Sequence, residues 1–418
     1  MAASYWPPNC WTRLFFQINK CETVHFKEGV VKERSTWNPS LCQTSIRRVI
    51  NARGTFTPLG VSRSPESVCA ATAEALRHHF KMEELHDAVG RNIAVMMGAK
   101  SAAVVHCTAA AITITVAASM VGTDVQQIAQ LPDSSGIKNV VVLPRAHAVN
   151  YGHQIQQAIR MSGAKPVLVG TSDSCTIAEI ADACAQEGAT CLLLVSSRLT
   201  GAAEIDFGEA VLAAHSCGID VIIDGAAQDF RIAELLATGA DAVLVSGQKY
   251  LAGPTSGLVL GRPDLIAAVR AQEKGIGRGM KVSKEALLGV HAAVEFRQKL
   301  KLEDWVLTNR TKVDHAVGRL AAMPGVHAIA VSDPTGLPFD RVHVTVDCLA
   351  LNGKRGCAAA VQIVADLKGG NPSIWAMDHK ANNLDRPEII LELVQLSDAE
   401  IETILRRFDE LLRSPSSR

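Results

Sequence analysis

The sequence is poor in several features that mark whole classes of protein. Aromatic residues make up only 4% of its 418 residues, and acidic and basic residues balance at 42 each. No cluster of Lys and Arg occurs of the kind that binds nucleic-acid phosphates, so we expect no nucleic-acid partner. No run of about 18 apolar residues occurs either, which predicts that the chain does not span a membrane.

The cysteines form no recognisable pattern. Eleven are scattered along the chain, without a CxxC pair or a Cys/His spacing typical of metal sites, so no metal centre is predicted. In a long α/β chain this usage is typical of reduced thiols, which indicates a cytoplasmic protein. Residues 1–49 show no basic segment followed by an apolar one, so we interpret them as an N-terminal extension and not as a signal peptide.

Hydrophobic residues make up 48% of the whole sequence. In the middle of the chain they are concentrated in short apolar runs. These runs alternate with helical patterns of about ten residues, which is typical of βαβ units in a mostly parallel sheet covered on both faces. The predicted strands are 139–144, 165–170, 191–195, 219–224, 240–245 and 257–261.

The later part of the chain has a different pattern. A long helix near 284–301 leads into mixed strands and helices, which predicts a small α+β domain. We therefore divide the chain into an extension at 1–49, a large α/β domain at 50–300 and a C-terminal α+β domain at 301–418. Capping boxes at Thr176 with Glu179 and at Ser397 with Glu400 predict two helix starts.

Polar residues follow the apolar runs at the sheet edge where ligands bind in parallel sheets. Asp224 ends one predicted strand, and Ser246 and Lys249 follow the next. Thr108 and Ala109 open a helix of small residues, a place where phosphate can bind.

Each of these residues alone has an ordinary structural explanation, since a lysine in a glycine-rich loop is usually solvated and an aspartate at a strand end usually caps a helix. Together they match the needs of pyridoxal 5′-phosphate (PLP): an amine for a Schiff base, a carboxylate for the pyridine nitrogen and a helix N-terminus for the phosphate. PLP also needs a flat side chain over its ring, for which we choose His147, with Tyr151 and His153 as rivals.

Longer motifs point to a family. The segments INARGTFTPLG, SGQKYLAGPTSGLVLG and GIGRGMKVSKEALLG resemble the selenocysteine synthase-like group of fold type I PLP enzymes. Within that group they are most similar to the D-glucosaminate-6-phosphate ammonia-lyase branch, over about residues 50–408. The resemblance implies a large PLP-binding domain with a mostly parallel seven-stranded sheet, a small C-terminal α+β domain, and a homodimer or higher homo-oligomer.

The resemblance also implies residue roles. Lys249, Asp224 and His147 would be catalytic, and Arg53 and Arg278 would bind substrate, with Lys281 a further candidate. The residues that would bind the cofactor are Thr108, Ala109, His147, Asp224, Ala226, Ser246, Lys249 and Thr255. The chain departs from the group at 392–396, where Glu-Leu-Val-Gln-Leu replaces a common Asp-Pro-Arg-Thr-Leu and so lacks an arginine for a substrate carboxylate.

The function that these observations favour is a PLP-dependent lyase. It would carry out α,β-elimination of the ammonia-lyase type on a small-molecule substrate, an amino acid or amino-sugar acid, through a Schiff base on Lys249. An amino-acid racemase or epimerase is the alternative within PLP chemistry, and a selenocysteine synthase fits less well because tRNA binding needs positive charge. A non-catalytic protein on the same fold is the alternative from another class.

Overall fold

The computed structural model describes residues 47–346, 357–378 and 388–413 of the chain. Its strands are β1 (Val49–Asn51), β2 (Ser101–Val105), β3 (Val140–Pro144), β4 (Lys165–Val169), β5 (Ala189–Val195), β6 (Asp220–Asp224), β7 (Ala242–Ser246), β8 (Gly257–Gly261), β9 (Val326–Ser332), β10 (Asp340–Val346), β11 (Ser373–Trp375), β12 (Met377–Asp378) and β13 (Glu388–Leu391).

Helices lie between most of these strands. They are α1 (Glu66–Leu76), α2 (Met82–Met97), α3 (Thr108–Val121), α4 (Val125–Gln130), α5 (Ile155–Arg160), α6 (Ile177–Cys184), α7 (Phe207–Ser216), α8 (Ile232–Ala237), α9 (Pro263–Ala271), α10 (Lys284–Lys299), α11 (Leu302–Ala321), α12 (Cys357–Gly369) and α13 (Asp398–Arg413). Among the described residues, no helix combines the length and the apolar character needed to cross a membrane.

The main sheet contains seven strands in the order β2-β8-β7-β6-β5-β3-β4. All neighbours are parallel except at β8, which is antiparallel to both β2 and β7. The predicted mostly parallel, seven-stranded α/β sheet is therefore confirmed. This topology places the carboxyl ends of β5, β6 and β7 at one edge.

Both faces of the main sheet are buried, which explains why its strands are continuous apolar runs. In β6, Val221 and Ile223 belong to the core on one face, while Ile222 belongs to the core on the other. Side chains alternate across a strand, so a strand covered by helices on both sides needs apolar residues at every position. The layered α/β architecture follows directly from this.

Local signals at helix starts also agree with the structure. The Glu179 amide donates to the Thr176 hydroxyl (3.2 Å), and the Thr176 amide donates to the Glu179 carboxylate (2.7 Å). The same reciprocal pair forms between Ser397 and Glu400 at α13. Both predicted capping boxes are present, and each satisfies amides that the first turn of a helix leaves free.

A second sheet lies in the C-terminal part of the chain. It is antiparallel, in the order β12-β13-β10-β9, and its core includes Val342 and Phe408. Strand β1 pairs with β11 in parallel, and Ile50 and Ala52 are buried in this C-terminal core. The first residues of the expected large domain thus complete the core of the later part, and the domain limits at residues 49 and 300 stay a prediction.

Candidate active site

The carboxyl ends of β6 and β7 bring the central predicted residues together. The two strands are parallel neighbours, and the loop after β6 lies against the end of β7 because the Gly225 amide donates to the Leu244 carbonyl (2.9 Å). The Ser246 amide donates to the Ala226 carbonyl (3.0 Å). Ser246, Ala226 and Asp224 therefore share one sheet edge with the turn that carries Lys249, as predicted.

Asp224 and Lys249 form the charged centre of this edge. Asp224 is only 5% exposed, and its carboxylate accepts a hydrogen bond from the Ala226 amide (3.0 Å). Burial raises the pKa of the Asp224 carboxyl, while the Lys249 charge opposes this. Burial likewise lowers the pKa of the Lys249 amine, and Asp224 opposes it. Each group thus favours the charged form of the other in a site that disfavours charge.

Helix α3 supplies an anion-binding end beside this pair. Its first turn has free amides, and the Thr108 hydroxyl oxygen is buried without a hydrogen-bond partner among the described residues. A Cβ at Gly257 would lie 2.6 Å from the Cys107 carbonyl oxygen, so only glycine lets β8 start this close to the helix end. The unsatisfied hydroxyl and the free amides fit a phosphate group.

His147 is buried, with 3% of its surface exposed, in the turn after β3. Its Nδ1 accepts a hydrogen bond from the Val195 amide (3.2 Å), and its ring lies edge-on to Phe207 at 5.8 Å between centroids. Burial lowers the pKa of His147 to about 4. The imidazole is therefore neutral at physiological pH.

Tyr151 lies nearer to the charged centre. Burial raises its pKa, and the Asp224 carboxylate raises it further. Its hydroxyl is buried without a hydrogen-bond partner in the described part of the chain, and the His153 ring packs on it at 5.5 Å. The choice of His147 as the ring-stacking residue stays a prediction, with Tyr151 the stronger of its rivals.

The remaining predicted residues lie in loops and turns outside the strands. Thr255 is exposed and donates to the Gln248 amide oxygen (2.7 Å). The Arg53 guanidinium lies over the Phe56 ring (4.0 Å). Arg278 and Lys281 are exposed in and just after a short 3-10 turn that ends at Met280. The Met280 carbonyl accepts a hydrogen bond from the amide of His106, which lies two residues before α3, so this turn is held next to the start of that helix.

Sequence reasoning missed several charged residues near Lys249. Arg198, exposed in the loop after β5, lowers the pKa of Lys249, and Asp229 acts in the opposite direction. Asp229 is buried in an ion pair with Arg297 (2.7 Å), and burial raises its pKa to about 6. Arg198 follows a strand end at the same edge as Asp224, a signal that could have identified it. The position of Arg297 on α10 left no such signal.

The position where relatives carry an arginine is apolar in this protein. Val394 packs against a cluster that contains Tyr250, Leu337 and Phe339, with the Tyr250 and Phe339 rings 5.1 Å apart. No cation from residues 392–396 can face a substrate.

A half-buried lysine and a buried aspartate at the ends of β6 and β7, beside a helix end whose free groups fit a phosphate, are the arrangement expected of a PLP-dependent enzyme of fold type I on this seven-stranded sheet. Residues 49–310 match the family model described as "SelA: L-seryl-tRNA selenium transferase". The chain belongs to this family, which confirms both the predicted resemblance and the predicted cofactor.

Two characterised relatives span most of the chain. It is 34% identical to a 5′-C-glycyluridine monooxygenase-decarboxylase from Streptomyces sp, over 87% of this chain and 90% of the relative. It is 31% identical to the D-glucosaminate-6-phosphate ammonia lyase of Salmonella typhimurium, over 88% and 96% respectively. The similarity to the ammonia lyase over most of both chains confirms the predicted class, a PLP-dependent lyase.

Solved structures agree with this assignment. A D-glucosaminate-6-phosphate ammonia-lyase structure matches with a TM-score of 0.79 and 31% identity, covering 89% of this chain and 98% of that one. The Sphingomonas wittichii serine palmitoyltransferase matches with a TM-score of 0.54 and 12% identity, covering 87% of each chain. The second match supports the fold alone.

Proposed function

We propose that this protein eliminates ammonia from a small amino acid or amino-sugar acid, with Lys249 as the residue that moves the Cα proton. The observation that carries the proposal is the position of the half-buried Lys249, close enough to the buried Asp224 carboxylate for each charge to act on the other, at the edge where α3 leaves the Thr108 hydroxyl unsatisfied. Bound PLP would supply an electron sink for charge that develops at the substrate Cα.

The protein residues divide the remaining work. Burial lowers the pKa of the Lys249 amine and so favours its neutral form, which is the form that can accept the Cα proton. The Asp224 carboxylate would hold a proton on the pyridine nitrogen. Thr108, Ala109 and Ser246 would bind the phosphate, and His147 or Tyr151 would lie over the ring.

The cations around the site suggest where a substrate anion binds. Arg198 lies three residues beyond the end of β5 and close enough to act on the charges of Lys249 and Tyr250. No carboxylate in the described residues pairs with it. Because Val394 replaces the arginine of relatives, we infer that Arg198 binds the substrate anion, with Arg53 and Arg278 as further candidates.

A second candidate reaction is oxidative. The relative with 34% identity is named a monooxygenase-decarboxylase, so the same site chemistry in this family supports loss of CO2 with consumption of O2. Racemisation is the third outcome that proton movement at Cα allows. Incubation with candidate amino acids in deuterated water separates them: elimination releases ammonia and an oxo acid, oxidation consumes O2, and racemisation yields Cα-deuterated substrate of both configurations.

The assembly and location are part of the same proposal. We infer a homodimer, because Thr255 is exposed in the 253–257 loop next to the site, where fold type I enzymes commonly meet a partner. We also infer a cytoplasmic location and no nucleic-acid partner, since the cysteines described are free and the net charge is zero. Sedimentation of the purified protein tests the dimer, and a monomer with full activity would contradict it.

The direct test of the site uses absorbance. Lysine-bound PLP has a visible band, and we expect the purified protein to show it and the Lys249→Ala protein to lack it. Lys165→Ala is the matched control, because Lys165 is exposed at the amino end of β4. A protein without the band after addition of PLP, or a band that survives in Lys249→Ala, contradicts the proposal.

A further inference from the structure

A buried arginine of the C-terminal sheet contacts two carboxylates at once. Arg341 lies on β10 and is 6% exposed; its Nη2 lies 2.6 Å from Asp333 Oδ2, and its Nε donates to Glu392 Oε2 (3.2 Å). Asp333 and Glu392 are 6% and 2% exposed. Burial lowers the pKa of Arg341, but the two carboxylates outweigh this and raise it, so the arginine is fully charged.

The Glu392 side of this arrangement leads to the catalytic lysine. Glu392 Oε1 accepts a hydrogen bond from the hydroxyl of Tyr250 (3.0 Å), the residue directly after Lys249. Burial, and then the Glu392 charge, raise the pKa of Tyr250. The phenol therefore keeps its proton and always donates it to Glu392.

The Asp333 side leads to the loop that carries Asp224. Asp333 Oδ1 accepts from the Thr335 hydroxyl (2.6 Å), and that hydroxyl oxygen accepts from the Gln228 side-chain amide (3.0 Å). Gln228 is 1% exposed, lies four residues after Asp224, and donates its own main-chain amide to the Gly225 carbonyl (2.8 Å). We call the chain of contacts from Arg341 through Glu392 to Tyr250 the first arm, and the chain through Asp333 and Thr335 to Gln228 the second arm. Arg341 with these two arms is the Arg341 network.

Stability alone does not account for a network of this kind. Burying one cation with two carboxylates costs desolvation that well-packed apolar residues would avoid, so such groups are often neutral or unfavourable for folding. What the network adds is geometry, because a charge-assisted hydrogen bond holds Arg341 to Glu392 and a close ion pair holds it to Asp333, from which hydrogen bonds lead to Tyr250 and to Gln228. One end is next to Lys249 and the other is in the Asp224 loop.

We propose that Arg341 is a positioning residue, which sets the placement of the Lys249 amine relative to the Asp224 carboxylate through Tyr250 and Gln228. The inference rests on the proposed roles of Lys249 and Asp224 and adds a residue of the C-terminal sheet to the machinery. A misplacement of reacting groups by about 1 Å can cost on the order of 100-fold in rate, so the network acts on turnover.

The test breaks the two arms separately. Tyr250→Phe removes only the hydroxyl of the first arm, Thr335→Val only that of the second, and Arg341→Met removes the centre. We expect kcat to fall about 10-fold in each single-arm variant and about 100-fold in Arg341→Met, with little change in KM. We also expect the visible circular dichroism per bound PLP, which reports a fixed orientation of the cofactor, to weaken in the same order.

Arg262→Met provides the matched control. Arg262 joins carboxylates of Asp220 and Asp241 at the opposite ends of β6 and β7. We expect Arg262→Met to lower stability and to leave the visible circular dichroism and kcat unchanged. If Arg341 had only a structural role, Arg341→Met would give this same result.

Wild-type circular dichroism and kcat in the folded Arg341→Met protein would overturn the inference. If that protein does not fold, the Tyr250→Phe and Thr335→Val proteins decide the matter, because neither leaves a buried charge without a partner. The Lys249→Ala protein separates the two levels of the argument. Persistence of its visible band refutes the proposed function itself, whereas its loss, with unchanged arm variants, refutes only the role of Arg341.

Discussion

The two ends of strands β6 and β7 differ in how their charged groups are paired. At the amino end, Arg262 contacts Asp220 (3.0 Å) and Asp264 (2.6 Å) and also pairs with Asp241. Asp241 accepts further hydrogen bonds from the Val221 amide (2.8 Å) and pairs with His215 (2.9 Å). Every charge at this end has a partner within the chain.

The carboxyl end of the same strands leaves polar atoms unsatisfied. Asp224 and Lys249 balance each other, but the hydroxyl oxygens of Thr108 and Tyr151 are buried without partners in the described residues. Buried polar atoms are nearly always hydrogen-bonded in folded proteins. These two hydroxyls lie at the edge that we propose binds PLP, whereas the ion pairs at the amino end tie neighbouring segments of the sheet together.

Substitution of the two aspartates of β6 should give the largest contrast. Asp224→Asn keeps the shape of the site but removes the negative charge that we propose holds a proton on the pyridine nitrogen. We expect PLP to remain bound and kcat to fall by at least about 100-fold, roughly 3 kcal/mol in the barrier. Steady-state kinetics at saturating PLP measure the effect.

Asp220→Asn, at the other end of the same strand, is the control for that loss. It weakens the ion pair with Arg262 and should lower thermal stability while turnover stays within about two-fold. Equal losses of turnover in the two variants would contradict the assignment of function to the carboxyl end.

A pH effect of intermediate size should come from His147. Its folded-state pKa is about 4, because burial disfavours the charged ring, against a value of 6.5 for an exposed histidine. Between pH 6.5 and pH 4 the histidine is protonated in the unfolded chain but neutral in the folded protein. The contribution of the neutral ring to the free energy of unfolding is therefore fully present above pH 6.5 and is lost as the pH falls towards 4. In the unsubstituted protein, His147 should make the free energy of unfolding about 2 kcal/mol lower at pH 5 than at pH 7, and His147→Gln should abolish this part of the difference.

Denaturant unfolding of the PLP-free protein at the two pH values measures this difference. His86 on α2 is the comparison, since burial also lowers its pKa to about 4. His86→Gln should flatten the pH dependence in a similar way while leaving the visible spectrum of the PLP-bound enzyme intact. An unaltered pH dependence in His147→Gln would show that its ring takes up a proton in the folded protein.

The smallest expected effect concerns the phosphate. Thr108→Val removes a hydroxyl that is unsatisfied in the protein and placed for the PLP phosphate, so the Kd for PLP should rise about 10-fold, near 1.4 kcal/mol. Titration followed by the visible band measures it.

Thr115, seven residues further along α3, is its matched control. Its hydroxyl is also buried and unsatisfied, but it lies about 10 Å from the helix start. Thr115→Val should leave the PLP affinity unchanged and raise the free energy of unfolding by about 1 kcal/mol, because an unpaired polar atom is removed. A weaker PLP affinity in Thr115→Val would remove the distinction between the two hydroxyls.

Much of the fold could be predicted because fully buried strands carry their signal locally. The run before Asp224 and the run before Ser246 are apolar at every position, and each lies within one or two residues of its predicted bounds. The same strand ends place Asp224, Ser246 and Lys249 at one edge from the sequence alone. Short-range pattern and sheet topology were sufficient for these residues.

Other features depend on contacts between distant segments and could not be predicted from local patterns. Strands β1 and β11 have three residues each, too few to show a period, and their pairing joins opposite ends of the chain. In the sequence, Arg341 is a single charged residue in a strand of alternating pattern. Its partners Asp333 and Glu392 lie on either side of it in sequence and contact it only in the folded chain.

The pairing of β1 with β11 has a consequence for the order in which the protein is built on the ribosome. Val49 leaves the ribosome about 320 residues before Ser373, its partner in the sheet. The early strand therefore has no β11 to pair with until about 320 further residues have been made, and the C-terminal core can close over Ile50 only after that. Chaperone dependence of the nascent chain, and its sensitivity to protease, should both persist at least until residue 375 has emerged and end once α13, which carries Phe408 of the same core, has followed.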